Sequence, residues 1–300
     1  MMEDLPTSYE SYSLPSLKLL HHPISSPSVT AIITILLHRP SARNGFTDEM
    51  ADSLATAYGL LSRDPRVRCI ILSGSDPSNK IFCAGMDFNA KHGFGPTVTT
   101  HRDSGGVVSL AMARCTKPII AAINGSAVGV GITMTLAANI RVVSKDAKVG
   151  FVFSQRGFNM EACSSFYLPR LVGTSRALHL ITTGAVYPAT DPLLSSLFSS
   201  VVPADEVYST ALKIAEQIAG NVSSVAAHVM KEMVYRGPAS PEEAHLLESK
   251  LFYDLYSGND AQEGVASFLE KRKPVFSSTL EKDGPTFLPW WKPVDVKAKI

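Results

Sequence analysis

Apolar positions along this chain follow two periods, and the change from one to the other divides it. Residues 29–37 form a β-branched run that stops before Pro40, which predicts a buried strand. Thr47 then precedes Asp48 and Glu49, and Met50, Leu54, Ala57 and Leu61 follow at helical spacing. A helix therefore starts here, capped by Thr47 with acids in its first turn. Residues 67–72 read as the next strand, broken by Ser73-Gly74-Ser75-Asp76-Pro77. Residues 94–106 are rich in Gly and Thr and read as a mobile loop. A short buried strand at 118–123, a helix at 132–138 and a strand at 140–143 continue the alternation. Strand alternating with helix predicts an α/β fold with crossover connections, and no internal sequence repeat is visible.

The last third changes period. Every segment over residues 204–273 reads as helix. Val207, Ala211, Ile214, Ala215 and Ile218 form one apolar stripe, and Leu246, Leu247, Leu251 and Leu255 form another. Such stripes must be buried on the core or on a neighbouring subunit. Residues 274–300 hold Trp290-Trp291 and four prolines and read as an extended strap. Residues 1–15, rich in Ser, Tyr, Glu and Pro without periodicity, read as a flexible or loosely docked leader. The expected organisation is thus a leader (1–15), an α/β core (16–203), a helical region (204–273) and a strap (274–300).

Composition narrows the function classes. A chain of 300 residues that is 45% apolar can bury a large core. A net charge of +1 argues against a general nucleic-acid binder. No apolar run reaches membrane-spanning length, and the polar N-terminus carries Glu3 and Asp4 rather than a secretory signal. Cys69, Cys83, Cys115 and Cys163 form no CxxC pair and no zinc spacing, so no metal site is expected. The last residues, Ala298-Lys299-Ile300, follow the small–basic–aliphatic pattern whose prototype is the peroxisomal Ser-Lys-Leu, with isoleucine in place of leucine. A peroxisomal address and its import receptor are the corresponding expectations.

Two short motifs carry the chemistry. Lys80-Ile81-Phe82-Cys83-Ala84-Gly85-Met86-Asp87 and Asn124-Gly125-Ser126-Ala127-Val128-Gly129-Val130-Gly131 each read as a strand running into a glycine-bearing turn that opens a helix. Such a turn leaves backbone N–H groups without helical partners. Two of them facing one point make an oxyanion hole, which suits chemistry on a carbonyl, above all a thioester passing through an enolate. The alternative is that Gly85, Gly129 and Gly131 serve only tight turns and close packing. A dinucleotide fingerprint is set aside, because Met134 stands where its third glycine belongs.

Four stretches, at residues 82–87, 118–131, 161–173 and 263–274, together resemble the crotonase family, also called the enoyl-CoA hydratase/isomerase superfamily. The resemblance spans residues 29–276. It implies a spiral of ββα units, a helical trimerisation region, a homotrimer or hexamer and an acyl-CoA substrate, with no cofactor beyond the CoA of that substrate. By this resemblance the amides of Met86 and Val130 hold the thioester oxygen, and Ala84, Gly85, Gly129 and Gly131 shape the turns that present them. One such donor is typically worth about 3 kcal/mol in the transition state.

The acid–base residue decides the reaction. Hydratases of the family use two glutamates, and Thr133 and Phe153 stand at those positions here. Glu161, in Gly157-Phe158-Asn159-Met160-Glu161-Ala162-Cys163, resembles the single catalytic glutamate of peroxisomal-type Δ3,Δ2-enoyl-CoA isomerases. Phe153, Phe158 and Met160 are expected to desolvate it and raise its pKa. The alternative is a surface glutamate at the start of the following helix. Arg43 is the candidate for a CoA phosphate or adenine contact, and Phe268 and Lys271 resemble residues that touch CoA from a neighbouring subunit. A solvated basic cluster at Lys271-Arg272-Lys273 is the competing reading.

The leading expectation is therefore an isomerase that shifts a 3-enoyl-CoA double bond to the 2-position, in fatty-acid β-oxidation or the processing of a secondary-metabolite acyl chain. The alternatives are an enoyl-CoA hydratase or dehydratase using Glu161 with a second, unplaced group, and a non-catalytic acyl-CoA binder.

Overall fold

The computed structural model describes residues 5–24, 26–93, 95 and 97–296. The candidate targeting residues Ala298-Lys299-Ile300 lie outside them. The chain opens with β1 (Leu17–His22), β2 (Ile32–Leu37) and α1 (Asp48–Arg63). Next come β3 (Cys69–Gly74), β4 (Ile81–Cys83), α2 (Ser104–Arg114), β5 (Ile119–Ile123), β6 (Ser126–Val128) and α3 (Val130–Thr133). Then follow β7 (Ile140–Ser144), β8 (Lys148–Gly150), α4 (Ser164–Val172), α5 (Thr174–Thr183), β9 (Val186–Pro188) and β10 (Ser200–Val202). The helical region comprises α6 (Val207–Asn221), α7 (Ser224–Arg236), α8 (Pro241–Tyr256) and α9 (Asn259–Leu269), and the short α10 (Leu280–Asp283) interrupts the strap, which the sequence reads as extended.

The strands form one sheet in the order β1-β2-β3-β5-β7-β10 and a smaller one in the order β4-β6-β8-β9. Each turn of the chain lays one strand in the first sheet, the next in the second, and then adds a helix. β3–β4–α2, β5–β6–α3 and β7–β8–α4 are three such ββα turns. Before them, the parallel bridge of Phe46 with Met86 stands in for the second strand between β2 and α1. This is the spiral that the resemblance implies. The structural repeat has no counterpart in sequence identity, because each turn meets different neighbours.

Period-two alternation explains how the larger sheet carries a layer on each face. Ile33, Ile35 and Leu37 of β2, with Ile70 and Leu72 of β3, enter the main core. Ile32, Cys69, Ile71, Ile120, Ala122 and Val142 point the other way and meet Val207, Ala211 and Ala215 of α6. The first predicted helical stripe is thereby buried on the core. The second is not: Leu251 is buried, whereas Leu246 is 71% exposed. Thr47 caps α1 as expected, accepting from the Met50 amide at 3.1 Å.

Two further expectations need correction. The leader is docked over its described part, not free. Tyr9 is fully buried, with its amide donating to His21 Nε2 at 3.1 Å and its hydroxyl to Asp64 Oδ2 at 3.0 Å. Burial works against the charge of Asp64, yet hydrogen bonds from Arg66 and Tyr9 outweigh it and hold the carboxyl below its ordinary range. Arg66 also reaches back to the Pro6 carbonyl at 2.9 Å. The glycine-rich loop, for its part, ends earlier than predicted. Asp103 caps α2, and Gly105 and Gly106 lie in its first turn.

Tyr9→Phe removes one of the hydrogen bonds on a buried carboxylate that keeps its arginine. Urea denaturation is expected to show a loss of about 1–2 kcal/mol with an unchanged m-value. A loss near zero would return the leader to a passive role.

Candidate active site

The first motif ends in a turn that is stitched to the segment before α1. Phe46 N donates to Gly85 O at 2.8 Å, Asp87 N donates to Phe46 O at 2.9 Å, and Ala84 N donates to Arg43 O at 3.2 Å. A parallel bridge of this kind spends the groups on either side of Met86 and turns the Met86 N–H the other way. Arg39 fastens the turn further, bonding Gly45 O and pairing with Asp87 Oδ2 at 3.0 Å. Asp87 is thus structural. No helix follows this motif, in contrast to the sequence reading. Gly85 is required at its place, with φ of 96° and room for a Cβ only 2.9 Å from Val128 O.

The second motif behaves as read. β6 leads through Gly129, at φ 56°, into α3, whose first residue is Val130. The Val130 amide, like that of Met86, donates to no carbonyl among the described backbone hydrogen bonds. The parallel pairing of β4 with β6, Cys83 opposite Ala127, sets the two turns side by side. The approach is close: a Cβ on Gly131 would lie 2.4 Å from the Cys83 carbonyl oxygen.

Glu161 comes to the same place from the other direction. Its Oε1 accepts from Thr133 Oγ1 at 2.6 Å, and Thr133 Oγ1 also lies 3.2 Å from Gly129 O. Burial raises the Glu161 pKa to about 7, the Thr133 bond lowers it, and the charge and hydrogen bond of Asp103 raise it further. The surface alternative is therefore excluded by position. Of the apolar residues expected around the carboxylate, Phe153 is buried and Met160 packs on the core, whereas Phe158 is 46% exposed. Thr133 is in contact with Glu161, so one of the two positions expected to hold a hydratase glutamate adjoins the glutamate that this chain has.

The loop after Glu161 is strained. Ala162 and Cys163 both take left-handed backbone, at φ 56° and 55°, which non-glycine residues adopt at a cost. Three hydrogen bonds hold it: Ala162 N to Asp103 Oδ1 at 3.1 Å, and Ser164 N and Oγ to Glu161 O at 3.0 and 2.6 Å.

Sequence reasoning missed Asp103 and Gly105. A Cβ on Gly105 would fall 1.7 Å from Glu161 Oε2, so only glycine admits the carboxylate there. The signal was an aspartate preceding Ser104-Gly105-Gly106, an N-cap pattern masked by the glycines around it. Arg43 is exposed beside the first turn, which its carbonyl helps to anchor. Phe268 and Lys271 sit at the exposed end of α9, and no described contact joins them to the Glu161 cluster within one chain. Cys83 is no nucleophile, since burial pushes its thiol up to about 12. Burial, then the charges of Asp103 and Glu161, raise Cys163 too. Among the described residues, no group of three or more His, Cys, Asp or Glu side chains is placed to hold a metal ion.

Two glycine substitutions separate frame from site. Gly131→Ala meets a backbone carbonyl that cannot step aside and is expected to cost about 2–4 kcal/mol by denaturation. Gly105→Ala meets the end of a flexible side chain. It should stay within about 1 kcal/mol of wild type while displacing Glu161 and its activity. Glu161 also links stability to pH. Its folded pKa exceeds the ordinary 4.5, so its contribution is complete below that value and fades as pH rises through about 7. Glu161→Gln has no charge to bury, so its Tm relative to wild type should climb between about pH 5 and pH 8. A flat difference would mean that the carboxyl is not buried as described.

Comparison with known proteins agrees with this geometry. A family model described as enoyl-CoA hydratase/isomerase matches residues 28–279. The chain is similar to the enoyl-CoA hydratase AFT3-1 of Alternaria alternata, with 48% identity over 261 residues that cover 86% of this chain and 87% of that protein. The enoyl-CoA hydratase ACTT3 of the same organism is 46% identical over 261 residues, covering 86% and 87%. Among solved structures, the enoyl-CoA hydratase of Bacillus anthracis superposes with a TM-score of 0.76 at 27% identity, covering 88% of this chain and all of that one, 100%. With its ββα spiral and its paired glycine turns, the chain belongs to the enoyl-CoA hydratase/isomerase family, the crotonase superfamily.

Proposed function

We propose that the protein catalyses the reversible addition of water to an enoyl-CoA thioester, with Glu161 moving a proton at the carbon next to the carbonyl. The observation that carries this reading is a half-buried carboxyl of pKa about 7, one hydrogen bond from the turn that presents the Val130 amide. A pKa near the working pH lets one group serve as acid and as base. The hydratase names of the relatives support hydration over the double-bond shift that the sequence suggests.

In this reading the thioester oxygen lies against the amides of Met86 and Val130. Water attacks C3, its oxygen forming the new C–O bond, and the electrons of the C2=C3 bond move onto the thioester as an enolate. The enolate then takes a proton at C2. The amides act in the transition state because charge develops on the oxygen only then. No cofactor beyond the CoA of the substrate is called for. Phe268 and Lys271 belong to the face that α7–α9 offer to further copies of the chain, in keeping with a homotrimer or hexamer.

One observation favours the second reading, isomerisation. Thr133 and Phe153 occupy the positions at which the resemblance puts the hydratase glutamates, and Phe153 cannot move a proton. Glu161 alone could take a proton from C2 of a 3-enoyl-CoA and return it to C4. The two readings part in one pair of assays. Wild type given a 2-enoyl-CoA should lose the conjugated thioester absorbance as the 3-hydroxyacyl product forms. Glu161→Gln should lower that rate about 10²–10⁴-fold. Gain of conjugation from a 3-enoyl-CoA, without consumption of a 2-enoyl-CoA, would replace hydration by isomerisation. Binding without either reaction would leave an acyl-CoA binder.

A further inference from the structure

Hydration needs a group that accepts the proton of water as well as one that delivers a proton to carbon, and both glutamates expected for this are absent. We propose that Asp103 is the second proton-moving group of the site, taking the proton of the attacking water while Glu161 protonates C2. This rests on the hydration reading and deepens it.

The geometry begins with the cap of α2. Asp103 Oδ1 accepts the amides of Gly106 at 2.5 Å and of Ala162 at 3.1 Å, so one carboxylate joins the start of α2 to the residue after Glu161. Gly105, next to the cap, has no side chain and admits Glu161 Oε2 to the space its Cβ would fill. The two carboxyls are thereby brought together, close enough for the Asp103 charge to raise the Glu161 pKa. A like charge this close disfavours ionisation of Glu161.

The surroundings of the two carboxyls differ. Glu161 is half buried, tied to Thr133 and the core side of the site, whereas Asp103 is exposed. The desolvated Glu161 is suited to deliver the proton to C2, and in this proposal the solvated Asp103 accepts the proton of water. Thr133 suits either state of Glu161. Its hydroxyl donates to the carboxylate, or donates to Gly129 O and accepts from the carboxylic acid. Cys163 is the other titratable neighbour, and its thiol is held protonated by burial and by both carboxyls. On the side of α1, Asp48 is engaged by the Gly93 amide at 2.6 Å, by Ser104 and by His92, whose Nδ1 lies 3.5 Å from Oδ1.

The step balances within the pair. Asp103 takes one proton from water as the oxygen bonds to C3, and Glu161 gives one proton to C2. The proton on Asp103 then passes to Glu161 across their contact, which restores the starting state without an outside acid.

Asp103→Asn is the test, because Asn keeps the oxygen that caps α2 and bonds Ala162 but cannot take the proton. With the 2-enoyl-CoA hydrated by wild type, the variant should keep its KM and Tm and lose kcat about 10²-fold or more. Its remaining pH profile should shift to lower pH, since the charge that disfavours ionisation of Glu161 is gone. Glu161-dependent exchange of the C2 proton of a saturated acyl-CoA with deuterated water should persist. Hydration at the wild-type rate by Asp103→Asn would reduce Asp103 to a helix cap. Asp103→Ser, which also caps, decides the matter in the same way if the Asn variant does not fold. A wild type that isomerises a 3-enoyl-CoA but hydrates nothing would instead overturn the hydration reading itself, and this proposal with it.

Discussion

The close approach of two backbone turns organises this molecule. Gly131 stands so near the Cys83 carbonyl, and Gly85 so near that of Val128, that neither position admits a side chain without movement. Contact of this kind is available only to backbone against backbone, and it is stable only where both segments are fixed from behind. The fixing is done by the pairing of β4 with β6 and by the bonds from residues 43–46 to residues 84–87. Behind these lies a main core that includes Phe82, Ala127, Val130 and Ile132. Packed interiors resist small displacements, so the position of the two free amides is set by the core rather than by the turns themselves.

Set against this frame, the carboxyl is held under tension. Burying Glu161 raises its pKa and so disfavours its charge at neutral pH, and the two left-handed residues after it add backbone strain. Hydrogen bonds from Thr133 to its side chain, from Ser164 to its carbonyl and from Ala162 to Asp103 offset part of this. Such a site is less stable than an apolar filling of the same space would be, which is the usual relation between function and stability.

The frame was legible in the sequence because it rests on local signals. Short apolar runs gave β2, β3 and β5, the Thr47 cap gave the start of α1, and the glycines gave the turns. Glu161 became legible only through its resemblance, since a lone glutamate ahead of a helix reads equally as a surface charge. Asp103 and Gly105 were hidden for a different reason. Two glycines in the first turn of α2 weaken the helix signal, and the room that Gly105 leaves for the Glu161 carboxylate serves a contact across 56 positions of sequence. The docking of Tyr9 on Asp64, 55 positions apart, escaped in the same way. Long-range polar contacts leave no period in the chain.

The division of labour in the site follows from which groups are backbone and which are side chain. An oxyanion hole built from amides is indifferent to the residues that carry them, so on the proposed function Met86 and Val130 serve as well as any other pair. Reaction type is then free to be set elsewhere. On the proposed function it is set by side chains from three elements: Asp103 at the start of α2, Thr133 in α3, and Glu161 ahead of α4. Because each stands on a different turn of the spiral, one can be exchanged without disturbing the amides, as Thr133 and Phe153 illustrate. They stand where the resemblance places two carboxylates, while the carboxyl that bonds Thr133, beside the Val130 turn, arrives from residue 161. The same thioester cradle can thus present its enolate to an acid at a different place. What product results depends on where a second proton acceptor lies, the role we propose for the cap of α2.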